Sequence, residues 1–330
     1  MKTLIQELVE TFGPSGYEDA VRTLLSDRIG GAVDEVRTDA LGNLIAHKKG
    51  SGQGLRVMLA AHMDEIGLVV SHIDQQGFAR FQTVGGVWPI TLVSGRVRFA
   101  NGAAGVIGWE YWLQKSELPK MDELFIDLGA TSAADAPVAV GDVACFDRPF
   151  QDLGKRLVAK AMDDRIACAI AVQTLRELQE TPNDIYVVFS TQEEVGTRGA
   201  MTAAFGIAPD VAVAIDVTDT GDTPEAIPMA VSLGGGPAIK IKDSGMIAHA
   251  GVKDWMIRTA EQAGIPYQRE VLTAGTTDAY SIQTTRAGVP AGCLSIPCRN
   301  IHTPSEIVDY DDVLNSVRLL RAMLSAPITL

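Results

Sequence analysis

Several Val-, Ile- and Leu-rich runs in this 330-residue chain end at, or just short of, a histidine or a carboxylate. LRVMLAAHMDE reaches His62, AKAMDDR carries Asp163, IYVVFSTQEEVG carries Glu193 and Glu194, VAVAIDVT carries Asp216, and LSIPCRNIHTP reaches His302. Apolar runs of this length, bounded by Gly, Pro and polar residues, predict strands buried on both faces, as in a parallel sheet. In an open α/β sheet, ligands bind beyond the carboxyl ends of the strands, so these side chains are expected to meet in one crevice. Imidazoles and carboxylates together make a mixed donor set suited to Zn²⁺, Co²⁺ or Mn²⁺. A metal-dependent hydrolase is the reading that uses all of them.

The order of segments predicts one α/β domain built from both ends of the chain. Residues 2–12 and 17–29 have helical spacing around the break GPSG, with Ser15 or Gly16 expected to begin the second helix. TDALGNLIAHKKG reads as a hairpin turning at Gly42 and Asn43. From residue 158 onward, strands alternate with helices to the end. Between them, residues 67–157 hold short runs divided by turn residues, with no long amphipathic helix. That pattern predicts a small all-β barrel or sandwich inserted into the α/β domain. The expected division is therefore 1–66 with 158–330, and 67–157.

Composition narrows the partners. With 46% hydrophobic residues the chain has ample core, and a net charge of −13 argues against nucleic acid or an anionic membrane surface. The amino-terminal MKTLIQELVETFG is interrupted by polar residues, so neither a signal segment nor a membrane span is expected. Cys145, Cys168, Cys293 and Cys298 lack C-x-x-C spacing and read as buried thiols of a cytoplasmic protein.

Each candidate residue has a chemical reason. Asp64, two residues beyond His62, can accept a hydrogen bond from one imidazole nitrogen and leave the other for metal. Asp163 and Asp164 open a helix, where acids favour the macrodipole, but one of them can also bridge two cations. Of the adjacent Glu193 and Glu194, one can ligate metal while the other moves a proton. Asp216 puts a charge inside an apolar run and so needs a cation or a hydrogen-bonding partner. His302 precedes Thr303-Pro304-Ser305-Glu306, a loop expected to start the last helix. Gly234-Gly235-Gly236-Pro237 lacks the following Lys-Ser/Thr of a phosphate cradle and reads as a tight loop. Trp88, Trp109 and Trp112 can form a peptide or sugar platform, but are expected instead to pack in the core or at a subunit interface, and Arg165, Arg176, Arg318 and Arg321 to be solvated or salt-bridged.

AAHMDEIG, KAMDDR, STQEEVGTRGA, AIDVT, GTTDA and IHTPSE together resemble the M42 family of dinuclear metallo-aminopeptidases. This is the glutamyl and tetrahedral aminopeptidase group, whose relatives are sometimes labelled endoglucanase. The resemblance spans essentially the whole chain. It implies a zinc-exopeptidase-like α/β fold whose inserted barrel mediates dimerisation, with dimers building to a dodecamer. It implies one metal held by His62, Asp163 and Asp216 and a second by Asp163, Glu194 and His302, with Zn, Co or Mn as the ions. Glu193 is then the general base, Asp64 orients His62, Asp164 supports the ligands from behind, and the Asp163–Asp164 peptide is cis. The implied substrates are short peptides, trimmed from the amino terminus. The sequence departs from the family at Gly275-Thr276-Thr277-Asp278-Ala279-Tyr280-Ser281 and over residues 243–256, which leaves substrate preference open.

A carboxypeptidase, dipeptidase or N-deacylase of the same clan is the alternative, and it needs a cation such as Arg198, Arg286 or Arg299 to bind a substrate carboxylate. A glycosidase using two acids is a remote alternative, and it leaves His62, His302 and Asp216 without a task.

Overall fold

The computed structural model describes residues 1–52, 54–111 and 117–330, so Trp112 lies outside the described residues. An 11-stranded sheet carries the molecule, and its middle is parallel. Asp184–Ser190 pairs with Arg56–His62, which pairs with Val211–Thr218, which pairs with Ala291–Arg299. The strands outside these four are joined to them antiparallel. They include the predicted hairpin, whose arms are Glu35–Thr38 and Leu44–Lys48.

Alternation along each central strand divides its side chains between two layers. Val57, Leu59 and Ala61 face the larger core with Leu8, Ile166 and Leu320, from helices Lys2–Glu10, Met162–Glu177 and Tyr310–Leu324. Met58 and Ala60 face the other side, under Ala200, Ala203 and Ile282. That second layer is rich in alanine, which lets helices Arg198–Ile207 and Asp278–Gln283 lie close to the sheet. The register that pairs Ala60 with Ala214 brings His62 and Asp216 level on one face.

A six-stranded closed barrel interrupts the sheet, running from Gly67–Ile73 to Val143–Phe146. Its core holds Leu68, Phe81, Val97, Phe99, Ile107, Ile126 and Phe146. Strands Gln151–Asp152 and Arg156–Ala159 pair into the large sheet, although the turn pattern had assigned 151–157 to the insertion. Short edge strands bounded by turns look the same in sequence whichever sheet receives them.

Two further expectations are corrected. The second helix starts at Asp19, because Ser15 and Glu18 spend their side chains on the site rather than on a helix start. Thr303 to Glu306 do not lead directly into the last helix. Glu306–Asp309 is a strand against Arg156–Ala159, and Asp309 caps the helix that follows. Arg165 takes the salt-bridged one of its two expected states, and it does so fully buried. Its guanidinium donates to the carbonyls of Leu8, Thr11, Gly13 and Met63 and reaches Glu65, tying the amino-terminal helix to the turn after His62. Among the described residues no helix is long and apolar enough to cross a membrane.

Candidate metal centre

His62 ends its strand buried, with its two ring nitrogens facing different groups. Nδ1 lies 3.1 Å from the Asp64 carbonyl oxygen and 3.4 Å from Asp64 Oδ1, while Nε2 lies 2.9 Å from Asp163 Oδ1 and 4.0 Å from Asp216 Oδ1. A donor Nδ1–H held by Asp64 leaves Nε2 with its lone pair toward the carboxylates. Asp163 turns its other oxygen to the second imidazole: Oδ2 is 3.3 Å from His302 Nε2, which is also 3.3 Å from Glu194 Oε2. The structure thus brings His62, Asp163, Glu194, Asp216 and His302 into one cluster. The Asp163–Asp164 peptide bond is cis.

The cluster is rich in buried carboxylates and poor in counter-charge. Burial, reinforced by the charge of Asp163, pushes the Asp216 carboxyl up to about 7. Burial also drives Glu194 and Glu193 well above the ordinary range, helped by Asp163 at Glu194 and by Asp216 at Glu193. Burial lowers the basicity of His302, but its bond to Asp163 together with the charges of Glu194, Asp163 and Glu306 outweighs this and raises it to about 10. Glu194 Oε1 and Asp164 Oδ1 are buried with no hydrogen-bond partner. An unsatisfied buried acceptor costs about 1–3 kcal/mol, more when charged, and a divalent cation is the partner these oxygens suit. Ligand atoms of His62, Asp163 and Glu194 lie within 4.8 Å of one another, as do those of His62, Asp164 and Asp216. The residues present therefore fit divalent metal. Asp164 can enter the second group, but its Oδ2 already accepts the His62 backbone N–H at 3.3 Å, which suits a supporting position.

Four residues were not singled out from the sequence as contributors to the site. Ser15 donates its hydroxyl to Asp64 Oδ2 at 2.6 Å. Glu306, buried four residues after His302, accepts the backbone N–H of His302 through Oε1 and that of Asp163 through Oε2, at 2.9 and 3.0 Å. Only its spacing from His302 hinted at this. Gly85 and Gly86 bring the barrel against the cluster: a Cβ on Gly85 would stand 3.1 Å from Glu194 Oε2, and one on Gly86 2.8 Å from His302 Nδ1. A larger residue at Gly86 would have to move His302, and one at Gly85 would have to move Ile66 and would crowd Glu194.

A cavity of about 600 Å³ opens on this cluster. Arg198, Arg286 and Arg299 do not line it; Arg299 is paired with Asp222, Arg286 stacks on Phe205, and Arg198 donates to Gln192. Lys240 does line it, and its ammonium is held 2.8 Å from Glu270. His47, His72 and His249 lie outside the cluster, and all four cysteines are free and buried.

Comparison with known proteins agrees with this picture. Residues 42–319 match the family described as M42 glutamyl aminopeptidase. A lysyl aminopeptidase of Pyrococcus furiosus is 37% identical over 336 residues, covering 97% of this chain and 96% of that one. The structure of an aminopeptidase from the archaeon Desulfurococcus kamchatkensis superposes with a TM-score of 0.94 at 42% identity, over 98% of this chain and 94% of that one. A Pyrococcus horikoshii peptidase reported to assemble into a tetrahedron or a large octahedral shell superposes at 0.88 with 30% identity, over 98% of both chains. By fold and by sequence, the chain belongs to the M42 glutamyl aminopeptidase family.

Proposed function

We propose that this protein is a metal-dependent aminopeptidase that removes amino-terminal residues from short peptides. The observation that carries the reading is Asp163, which offers one carboxylate oxygen to His62 Nε2 and the other to His302 Nε2. A carboxylate so placed suits a bridge between two cations. His62, Asp163 and Asp216 would hold one ion, and Asp163, Glu194 and His302 the other. Bound Zn²⁺, Co²⁺ or Mn²⁺ would supply the charge that acidifies a water and polarises the scissile carbonyl.

The remaining work falls to side chains. Glu193 takes the proton from the attacking water and returns it to the departing amine. A carboxyl raised by burial suits a group that must hold that proton between the two steps. Asp64 fixes the tautomer and direction of His62, and Asp164 supports the strand end from behind. The carboxylates lining the cavity favour a substrate with a free ammonium. Among the described residues, the ammonium lining the cavity, that of Lys240, is already occupied by Glu270, which disfavours a carboxypeptidase reading. We assign dimerisation to the barrel, a larger homo-oligomer to the assembled protein, and a reducing cytoplasm to its free buried thiols.

The test is a panel of aminoacyl anilides, each beside its N-acetylated twin, assayed with protein stripped by chelator and then resupplied with Zn²⁺ or Co²⁺. Metal-restored cleavage of the free-amino compounds alone is expected. Metal-restored cleavage of the acetylated twins would favour a deacylase.

A further inference from the structure

Trp88 is the largest exposed side chain in the wall of the metal cavity, at 67% exposure, and among the described residues its indole makes no hydrogen bond or ring contact. Trp109, in the same barrel, packs against the barrel core and donates its Nε1–H to Glu123. The backbone of Trp88 is nonetheless held in place. The backbone there is extended, so successive side chains alternate: Val87 packs on the barrel core and Trp88 points away from it. The carbonyl of Trp88 accepts both the N–H and the hydroxyl of Thr91, at 3.1 and 2.8 Å. Just upstream, Gly85 and Gly86 press against Glu194 and His302, which fixes the loop relative to the metal ligands.

The two sides of the cavity differ. Beyond Asp216 its wall has a buried floor of Thr218, Lys240 and Thr277 under an exposed rim of Asp219, Ala274 and Gly275, whereas beyond His302, among the described residues, it has no such floor and runs out directly to exposed Gly86 and Trp88. An exopeptidase needs one side that admits a single residue and another that lets a chain of any length leave. From this asymmetry we infer that Trp88 is a positioning residue for the leaving portion of the peptide. The substrate's amino-terminal side chain enters toward Thr218 and Lys240, and the chain after the scissile bond lies across the indole. The inference rests on the aminopeptidase reading. An unpartnered aromatic on an anchored backbone suits this task, since it offers broad contact area and accepts varied sequences.

The experiment uses the metal-loaded protein and a series sharing one amino-terminal residue: an aminoacyl amide, a dipeptide, a tripeptide and a tetrapeptide. Wild type, Trp88→Ala and Trp88→Phe are compared. The tripeptide-to-amide ratio of kcat/KM should fall roughly three- to tenfold in Trp88→Ala, as expected for loss of an aromatic contact, through KM rather than kcat. Trp88→Phe should recover most of it. An equal loss on the amide and the tripeptide, or no loss on either, would overturn the inference. A wild-type enzyme that cleaves none of the series would instead overturn the aminopeptidase reading, and the inference with it.

Discussion

The carboxylate of Asp64 accepts the backbone N–H of Glu193 through Oδ1 at 3.0 Å, and with Oδ2 it accepts that of Glu194 at 3.1 Å. The same group faces His62 Nδ1 and takes the Ser15 hydroxyl. One buried anion therefore sets the direction of a candidate metal ligand and the position of the candidate base. Asp64→Asn puts an amide donor where one of these donors must find an acceptor. The expected result is a 10–100-fold weaker metal affinity, with activity partly recovered at high metal. Titration of chelator-stripped variant and wild type with Zn²⁺ checks it, and equal affinities would show that His62 needs no such support.

Glu193→Gln separates binding from proton transfer. Glu193 is not among the proposed ligands, so the variant should retain wild-type metal content and melting temperature. Turnover should fall by roughly 10²–10⁴, the range for loss of a positioned general base. Metal analysis beside kcat on a free-amino anilide decides the matter. Near wild-type turnover would remove Glu193 from the mechanism.

The cysteines give a prediction at alkaline pH. Burial holds the Cys145 thiol up at about 11 and raises Cys168, Cys293 and Cys298 as well. Thiols in the unfolded chain ionise near ~8.5, so above that pH the unfolded state binds fewer protons than the folded state and stability must fall as pH rises. Urea midpoints should decline from pH 8 to pH 10.5, less steeply in Cys145→Ala. A thiol reagent at pH 8 should leave the native protein unmodified. Rapid labelling of the native state would contradict the assigned burial.

The chain disclosed its candidate ligands because each interrupts a strong apolar pattern. His62 and Asp216 stand where strands of Val, Leu and Ala should end, and a parallel register can only bring them to one edge. The barrel was legible as a series of short runs between turns. Other features depend on tertiary contact and leave no local mark. Glu306 looks like any acid after a Thr-Pro-Ser turn, yet it binds the backbones of two candidate ligands. Arg165 looks like a helix-surface cation, and only the folded chain supplies the carbonyls that let it be buried. Trp88 reads in sequence as core, subunit interface or platform alike, and only the extended loop after the strand Ala79–Val84 sets it exposed in the cavity wall.

The most direct measurement titrates chelator-stripped protein with Co²⁺ while following bound metal and hydrolysis of a free-amino anilide in the same samples. Two ions per chain should bind, with activity absent before the first and complete only when both ligand sets are filled. Full hydrolysis by the stripped protein, or saturation of activity with no metal bound at the cluster, would contradict the two-cation centre.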